Sequence, residues 1–202
     1  MASHPADQPN TPPLERHRAE AAEPRQLLDR IRLGDASALD GLLALYWKPL
    51  VRYAHALVGS MDDAEDVVQD VFVELWNRRL SWRGIESIRS YLYRSTRNRA
   101  LNERRRRKVR VAWFDANRGE QRRPPTPAET LQTQELRRAV ESALGRLSPR
   151  RREVFVLYSG HSLSYHEIGA IMGISYQTVA NHMSAALRDL RRALADYAGR
   201  AG

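Results

Sequence analysis

The chain contains no cysteine, which excludes disulfide scaffolds, Cys-ligated zinc modules, iron–sulfur clusters and thiol nucleophiles. Aromatic residues make up only 7%, so a core must be mostly aliphatic. No apolar run approaches the roughly 18 to 20 residues of a spanning helix, and the N-terminus lacks the apolar segment of an export signal. Neither membrane insertion nor secretion is therefore expected, and a cytoplasmic location is. No alternating run of β-branched residues is long enough for a strand, which points to an all-α fold. Positive charge, by contrast, is abundant: 33 Lys and Arg against 24 Asp and Glu leave +9 over 202 residues. Such a balance points to a polyanionic partner, nucleic acid or an anionic membrane.

Proline marks the divisions. Five of the ten prolines lie between Pro5 and Pro24 in a polar segment, and Pro124, Pro125 and Pro127 share a second polar stretch. Neither segment can bury enough apolar surface to order itself. The expected organisation is a flexible arm at 1–23, a helical domain at 24–112, a flexible linker at 113–130 and a second helical domain at 131–199.

In the first domain Leu27, Leu28 and Ile31 suggest a short helix, and Leu39 to Val58 a longer one that Pro49 should kink or divide. Ala64, Val67, Val68, Val71, Phe72, Leu75 and Trp76 then form one apolar stripe along a helix that Asp62 is placed to cap. Another helix begins at Ile88 and runs into the basic stretch. In the second domain Leu136, Val140, Ala143, Leu144 and Leu147 form an apolar face. Ser148-Pro149 starts the next helix through Val154, Phe155 and Leu157, which Gly160 should interrupt. Ser164 with Glu167 makes a capping box for the helix after it.

Three stretches could carry function. Ser164 to Met172, a turn at Gly173-Ile174-Ser175 and a helix from Tyr176 match a helix-turn-helix. Gly169 is small where the helices must cross, and Val179, Met183, Ala186, Leu187 and Leu190 should pack inward. Gln177, Asn181, Ser184 and Arg188 then face outward, with side chains suited to base edges or phosphates. From Arg97 to Arg110 eight bases face the single acid Glu103, nearly all of the net charge. Asn98 and Asn102 add neutral polar groups, and Trp82, Tyr91 and Tyr93 offer flat faces for unstacked bases. Opposite in sign, Asp62, Asp63, Glu65, Asp66, Asp70 and Glu74 put six acids on one helix face. That face suits a basic protein partner or a helix N-terminus. A metal-dependent nuclease built on Asp62, Asp66 and Asp70 is an alternative, but no histidine or phosphate loop accompanies them. No His-Glu-x-x-His spacing occurs, and Ser159 and Ser164 lack a nucleophile elbow's glycines. Neither catalysis nor a small-molecule substrate, cofactor or metal is expected.

Asp63 to Phe72 followed by Leu75-Trp76, then Ser90 to Tyr93 leading into Asn98 and the arginine run, resembles domain 2 of the extracytoplasmic-function sigma factors of bacterial RNA polymerase. Leu147-Ser148-Pro149, Arg152 to Phe155, Glu167-Ile168-Gly169, Ile174-Ser175 and Thr178-Val179 resemble their domain 4. The resemblance spans about Pro24 to Tyr197. It implies a factor that directs promoter-specific initiation by recognising minus-35 and minus-ten elements and assisting melting, without catalysing a reaction. Its implied partners are core polymerase, through the β′ coiled coil and the β flap, promoter DNA, and an anti-sigma protein.

The resemblance also implies residue roles. Asp63, Asp66, Gln69, Asp70 and Glu74 would dock on core polymerase. Trp82, Tyr91, Arg94, Arg97, Asn98, Asn102, Arg105 and Arg106 would hold the minus-ten element and its phosphates, with Leu80 to Ser87 capturing a flipped base. Gln177, Thr178, Asn181, His182, Ser184, Ala185 and Arg188 would enter the major groove at minus-35. Ala180 and Ala185 stand where relatives often carry arginine, so their promoter contacts do not transfer. Gly169 replaces a more usual alanine, a conservative difference for helix crossing. A stand-alone helix-turn-helix regulator is the alternative, and the acidic helix is what discriminates against it.

Overall fold

The computed structural model describes residues 24–81, 87–114 and 131–201, and all regular structure among them is helical. Helix α1 covers 24–32, followed by α2 Ala36–Val58, α3 Met61–Asn77, a 3-10 turn at Arg79–Ser81 and α4 Ile88–Phe114. After the second break come α5 Leu131–Arg146, α6 Pro149–His161, α7 Tyr165–Met172 and α8 Tyr176–Ala201. The expected arm at 1–23 and most of the linker at 113–130 lie outside the described residues.

Local chemistry accounts for most boundaries, with two differences from the sequence reading, at the cap of α3 and at Gly160. Asp35 starts α2, its side chain accepting from the Ser37 amide at 3.0 Å while Arg30 pairs with it at 2.8 Å. Pro49 lies inside α2 without dividing it. The carbonyl that loses its donor belongs to Leu45, on the exposed side of the helix, where solvent can replace the bond. Ser60, not Asp62, caps α3, because its hydroxyl is the one that reaches the Asp63 amide, at 3.3 Å. Asp62 instead sits in the first turn, where its charge suits the helix dipole. Gly160 does not interrupt α6. The helix continues to His161 and reverses at Ser162, a non-glycine residue at φ 50°, and the extra turn is what brings the His161 ring to Tyr93.

The apolar stripe of α3 is buried as expected: Ala64, Val67, Val68, Val71, Phe72 and Leu75 pack against Leu42, Leu50, Tyr53 and Ala54 of α2 and Ile88, Leu92 and Tyr93 of α4. This core does not stop at the second break. It continues through Val154, Leu157, Leu163, Ile168, Ile171, Val179 and Met183 of the later helices. The two groups of four helices are thus packed on one another, with α4 against α7 and α2 against α6. A separate small cluster of Ala143, Leu147, Ala186 and Leu190 joins α5 to α8. Val140, expected on the α5 apolar face, lies at its exposed margin. No helix among the described residues is long and apolar enough to cross a membrane.

Candidate nucleic-acid interface and protein-docking face

The turn between α7 and α8 is built from four local devices. Ser164 and Glu167 form the reciprocal capping box. Gly173 takes φ 68° at the end of α7, a left-handed conformation that only glycine adopts without cost. The Ile174 amide returns to the Gly169 carbonyl at 3.1 Å. Ser175 then starts α8, its hydroxyl accepting from the Thr178 amide at 3.1 Å. A Cβ on Gly169 would stand 2.8 Å from the Ile174 carbonyl oxygen. Glycine for alanine is therefore not a conservative difference in this chain, since the turn backbone occupies the methyl's place.

Along α8, Gln177, Asn181, Ser184 and Arg188 are exposed, and Thr178 and His182 are half-buried beside them. The Gln177 amide nitrogen donates to the Asn181 side-chain oxygen at 3.2 Å, which holds two amide groups side by side on the outer face. Two positions differ from expectation. Ala185 is buried and Leu187, expected to pack inward, is 37% exposed. Helix α8 is enclosed by α5, α6 and α7, so its covered arc is wider than a single stripe and displaced from the one the periodicity suggested. Ala185 thus cannot meet a groove without a rearrangement.

Helix α4 separates its residues by face. Arg94, Asn98, Asn102, Arg105 and Arg106 all lie on exposed surface along one side, an arrangement able to follow phosphates while presenting amides to bases. Tyr91 is half-buried at the start of the same side. Trp82, in the loop expected to capture a base, lies outside the described residues. Arg97 and Tyr93 turn the other way. The Arg97 guanidinium forks onto the Glu153 carboxylate of α6, at 2.7 and 3.3 Å, and its side chain is only 18% exposed. Tyr93 is fully buried, its ring 5.6 Å from that of Tyr53 and its hydroxyl 3.0 Å from His161 Nδ1. Tyr93 therefore offers no open face for a base in this arrangement.

Burial dominates the titration of this cluster. It pushes the Tyr93 hydroxyl up to about 12 and raises Tyr53 well above the usual phenol range, with the Glu153 charge adding to the latter. It lowers His161 to about 4, helped by the nearby charges of Arg52 and Arg89. The sequence reading gave no site role to Tyr53, Arg89, Glu153 or His161, although Glu153 lies in the Arg152 to Phe155 motif. One signal was available: Glu153, Leu157 and His161 fall at i, i+4 and i+8, so an acid and an imidazole share the buried line of α6.

The acidic face of α3 is partly answered by α4. Arg99 binds Asp70 at 2.9 Å and Glu74 at 2.7 Å, and Arg107 binds Asp63 at 2.8 Å. Hydrogen bonds from Arg99 and Arg78 hold the Glu74 carboxyl below its usual range. Asp62, Glu65 and Asp66 are exposed and have no ion pair among the described residues, and Gln69 and Val73 are exposed on the same helix. The surface is therefore mixed, with free acids toward the start of α3, the polar Gln69 and one apolar side chain. With Asp70 held by Arg99, the trio Asp62, Asp66 and Asp70 is not drawn together, and no metal-binding group of three or more acids or histidines forms among the described residues.

Comparison with known proteins places these features. The sigma-70 region 2 family matches residues 42–110, which include α3 and most of α4. The sigma-70 region 4 family matches 137–190, which include the helix-turn-helix. The chain is 29% identical over 172 residues to the ECF RNA polymerase sigma factor SigE of Mycolicibacterium smegmatis, an alignment covering 81% of this chain and 65% of that relative. It is 26% identical to the RNA polymerase sigma factor YlaC of Bacillus subtilis, covering 77% of this chain and 91% of YlaC. Among solved structures, the sigma factor RpoE of Bartonella quintana, crystallised with the anti-sigma factor NepR, superposes with a TM-score of 0.62 at 27% identity, covering 77% of this chain and 95% of that one.

Proposed function

The chain belongs to the sigma-70 family as a factor of the extracytoplasmic-function type, and from that premise we propose that it binds core RNA polymerase through α3 and recognises promoter DNA through α4 and α8. Its function is to direct promoter-specific transcription initiation. The observation that carries this reading is the order of the two family regions, 42–110 and then 137–190, within one chain. A stand-alone regulator needs only the second of them.

Each surface has a physical task in that reading. The free acids Asp62, Glu65 and Asp66 with Gln69 and Val73 make a face that DNA would repel and a basic, partly apolar polymerase surface would accept. The exposed stripe of Arg94, Asn98, Asn102, Arg105 and Arg106 holds the minus-ten element, its arginines positioning phosphates and its amides meeting bases. Trp82 and the surrounding loop receive an extruded base, whose unstacking costs a few kcal/mol that a fitted pocket can repay. On α8 the paired amides of Gln177 and Asn181, with Thr178, His182, Ser184 and Arg188, read minus-35. The Gln177–Asn181 bond leaves one amide's NH2 and the other's oxygen free, which matches the N7 acceptor and N6 donor of adenine.

The factor acts in the cytoplasm and stabilises the melted promoter without itself making or breaking covalent bonds. An anti-sigma protein is its expected regulator, and the polymerase-docking and DNA-facing surfaces are those an inhibitor would cover.

The experiment is to purify the chain with bacterial core RNA polymerase and run off transcripts from a pool of genomic fragments. Core binding with new, discrete start sites is the expected result. A folded chain that ignores core enzyme yet binds duplex operator tightly would leave only the helix-turn-helix and overturn the sigma reading.

A further inference from the structure

Tyrosines from three helices meet on the outside of the second half of the chain. Tyr158 of α6 lies 5.4 Å from Tyr165 of α7, and Tyr165 lies 5.6 Å from Tyr176 of α8, measured between ring centroids. His166 joins the group, its ring 4.8 Å from that of Tyr176. At these separations tilted aromatic rings attract one another. Tyr165 is half-buried and packed against the main core, whereas Tyr158 and Tyr176 are 49% and 48% exposed. The result is an aromatic ridge rooted in the fold and open along its crest. A single exposed ring calls for no explanation, but a contiguous row of them marks a contact surface.

The place of the ridge indicates what it meets. Tyr165 is the first residue of α7 and Tyr176 the first of α8, so the contact between their rings sets the starting ends of the two helices side by side. Tyr176 directly precedes Gln177 and, at roughly 100° of rotation per residue, stands on the flank of α8 next to the outer line of Gln177 and Asn181. The ridge is thus continuous with the surface assigned to minus-35. Base edges in the major groove are polar, and their one apolar feature is the C5 methyl group of thymine. A tyrosine ring suits that methyl, and the neighbouring rings reduce the freedom it has to lose on contact. The amides of Gln177 and Asn181 match an adenine edge, so the ring adds a kind of readout that they lack.

Resting on the sigma reading, we infer that Tyr176 is a specificity-determining residue of the minus-35 reader, its ring packing on the methyl group of a thymine beside the adenine met by Gln177 and Asn181. Tyr165 is a positioning residue. It touches no base and holds the Tyr176 ring at the lip of the groove, with Tyr158 packed behind it. The ring reads its base by apolar contact, where the amides read theirs by hydrogen bonds.

The test uses the full chain bound to core polymerase. Duplex promoters are selected from a library that keeps the minus-ten region of a run-off start site and is randomised upstream, then remade with deoxyuridine for thymidine one position at a time. Uracil keeps every hydrogen-bonding group of thymine and lacks only the methyl. The unsubstituted chain should select thymine at one position and lose about three- to fivefold in affinity when that methyl is removed. Tyr176→Phe should keep both properties. Tyr176→Ala should bind the thymine promoter about three- to tenfold more weakly and no longer distinguish it from the uracil one. Tyr176 lies outside the core, so its variants should fold. Tyr165→Leu, which keeps apolar packing, should shrink the discrimination without changing the selected base. Equal loss on both promoters in Tyr176→Ala would mean that the residue holds a phosphate, and weaker core binding that the ridge meets protein. Either result overturns the inference, as does discrimination that survives in Tyr176→Ala. A Tyr176→Phe variant that behaves like alanine also overturns it, since the hydroxyl and not the ring would then be the contact. An unsubstituted chain that directs no initiation with core enzyme would instead sink the sigma reading.

Discussion

The hydroxyl of Tyr93 on α4 and Nδ1 of His161 at the end of α6 stand 3.0 Å apart in the buried seam between the two halves of the chain. Burial, with Arg52 and Arg89 nearby, lowers this imidazole from 6.5 to about 4, so the folded protein holds it neutral. The unfolded chain takes up the proton first as pH falls. Stability from this group is therefore complete above about pH 6.5 and is lost as pH drops toward 4, by at most about 1.4 kcal/mol per pH unit. Urea unfolding at pH 7.5 and pH 5.0 should differ by about 1 to 2 kcal/mol, and the difference should shrink in His161→Gln. A protein equally stable at both values would mean that the ring is solvated.

The fork between Arg97 and Glu153 should behave as a coupled unit. Glu153→Ala leaves a guanidinium only 18% exposed without its partner, and removing one member of a buried pair costs about 3–5 kcal/mol. Because Arg97 can swing toward solvent, a loss of about 1–3 kcal/mol is expected. Arg97→Met with Glu153→Leu should cost less than the two single losses combined. A denaturation double-mutant cycle checks this, and strict additivity would show that the pair contributes nothing beyond its packing.

Two glycines should respond in opposite ways to alanine. At Gly169 the new methyl would meet the Ile174 carbonyl oxygen at 2.8 Å, and forcing the turn aside should cost about 1–3 kcal/mol. At Gly160, inside α6 with no atom within 4 Å of the added Cβ, alanine should stabilise by about 0.5–1 kcal/mol. Melting temperatures of the two variants, moving apart from the parent, would verify the difference.

Docking on core polymerase should depend on Asp66 in a way that Asp70 cannot test cleanly. Asp70 binds Arg99 of α4, so reversing its charge also disturbs the first domain. Asp66 is exposed with no ion pair among the described residues. Asp66→Lys should weaken core binding by about five- to thirtyfold, the equivalent of about 1–2 kcal/mol. Its melting temperature and its affinity for DNA should hold. Loss of DNA affinity with intact core binding would place the docking surface elsewhere.

Much of the candidate site was legible because its determinants are local. The capping box at Ser164 and Glu167, the left-handed Gly173 and the exposed Gln177, Asn181, Ser184 and Arg188 follow from spacings of a few residues. Where the reading failed, a neighbour decided. Ser60 rather than Asp62 caps α3 because geometry chose between two competent side chains. Ala185 is buried because three helices, not one, surround α8. Gly160 stays helical because nothing at that point requires the chain to turn.

The sequence by itself determined the all-helical character of the described residues, the helix-turn-helix, and the opposite charges of α3 and α4. Caps, periodicity and charge runs all act within a turn or two of helix, so single-chain spacing encodes them. Only the tertiary structure decided that Arg99 and Arg107 would answer the acids of α3, and that Tyr93 and Arg97 would face α6 rather than solvent. Arg97 and Glu153 are 56 residues apart. Their meeting depends on which apolar face of one four-helix group covers which face of the other. No local period specifies that choice, because it is made by the joint burial of both surfaces.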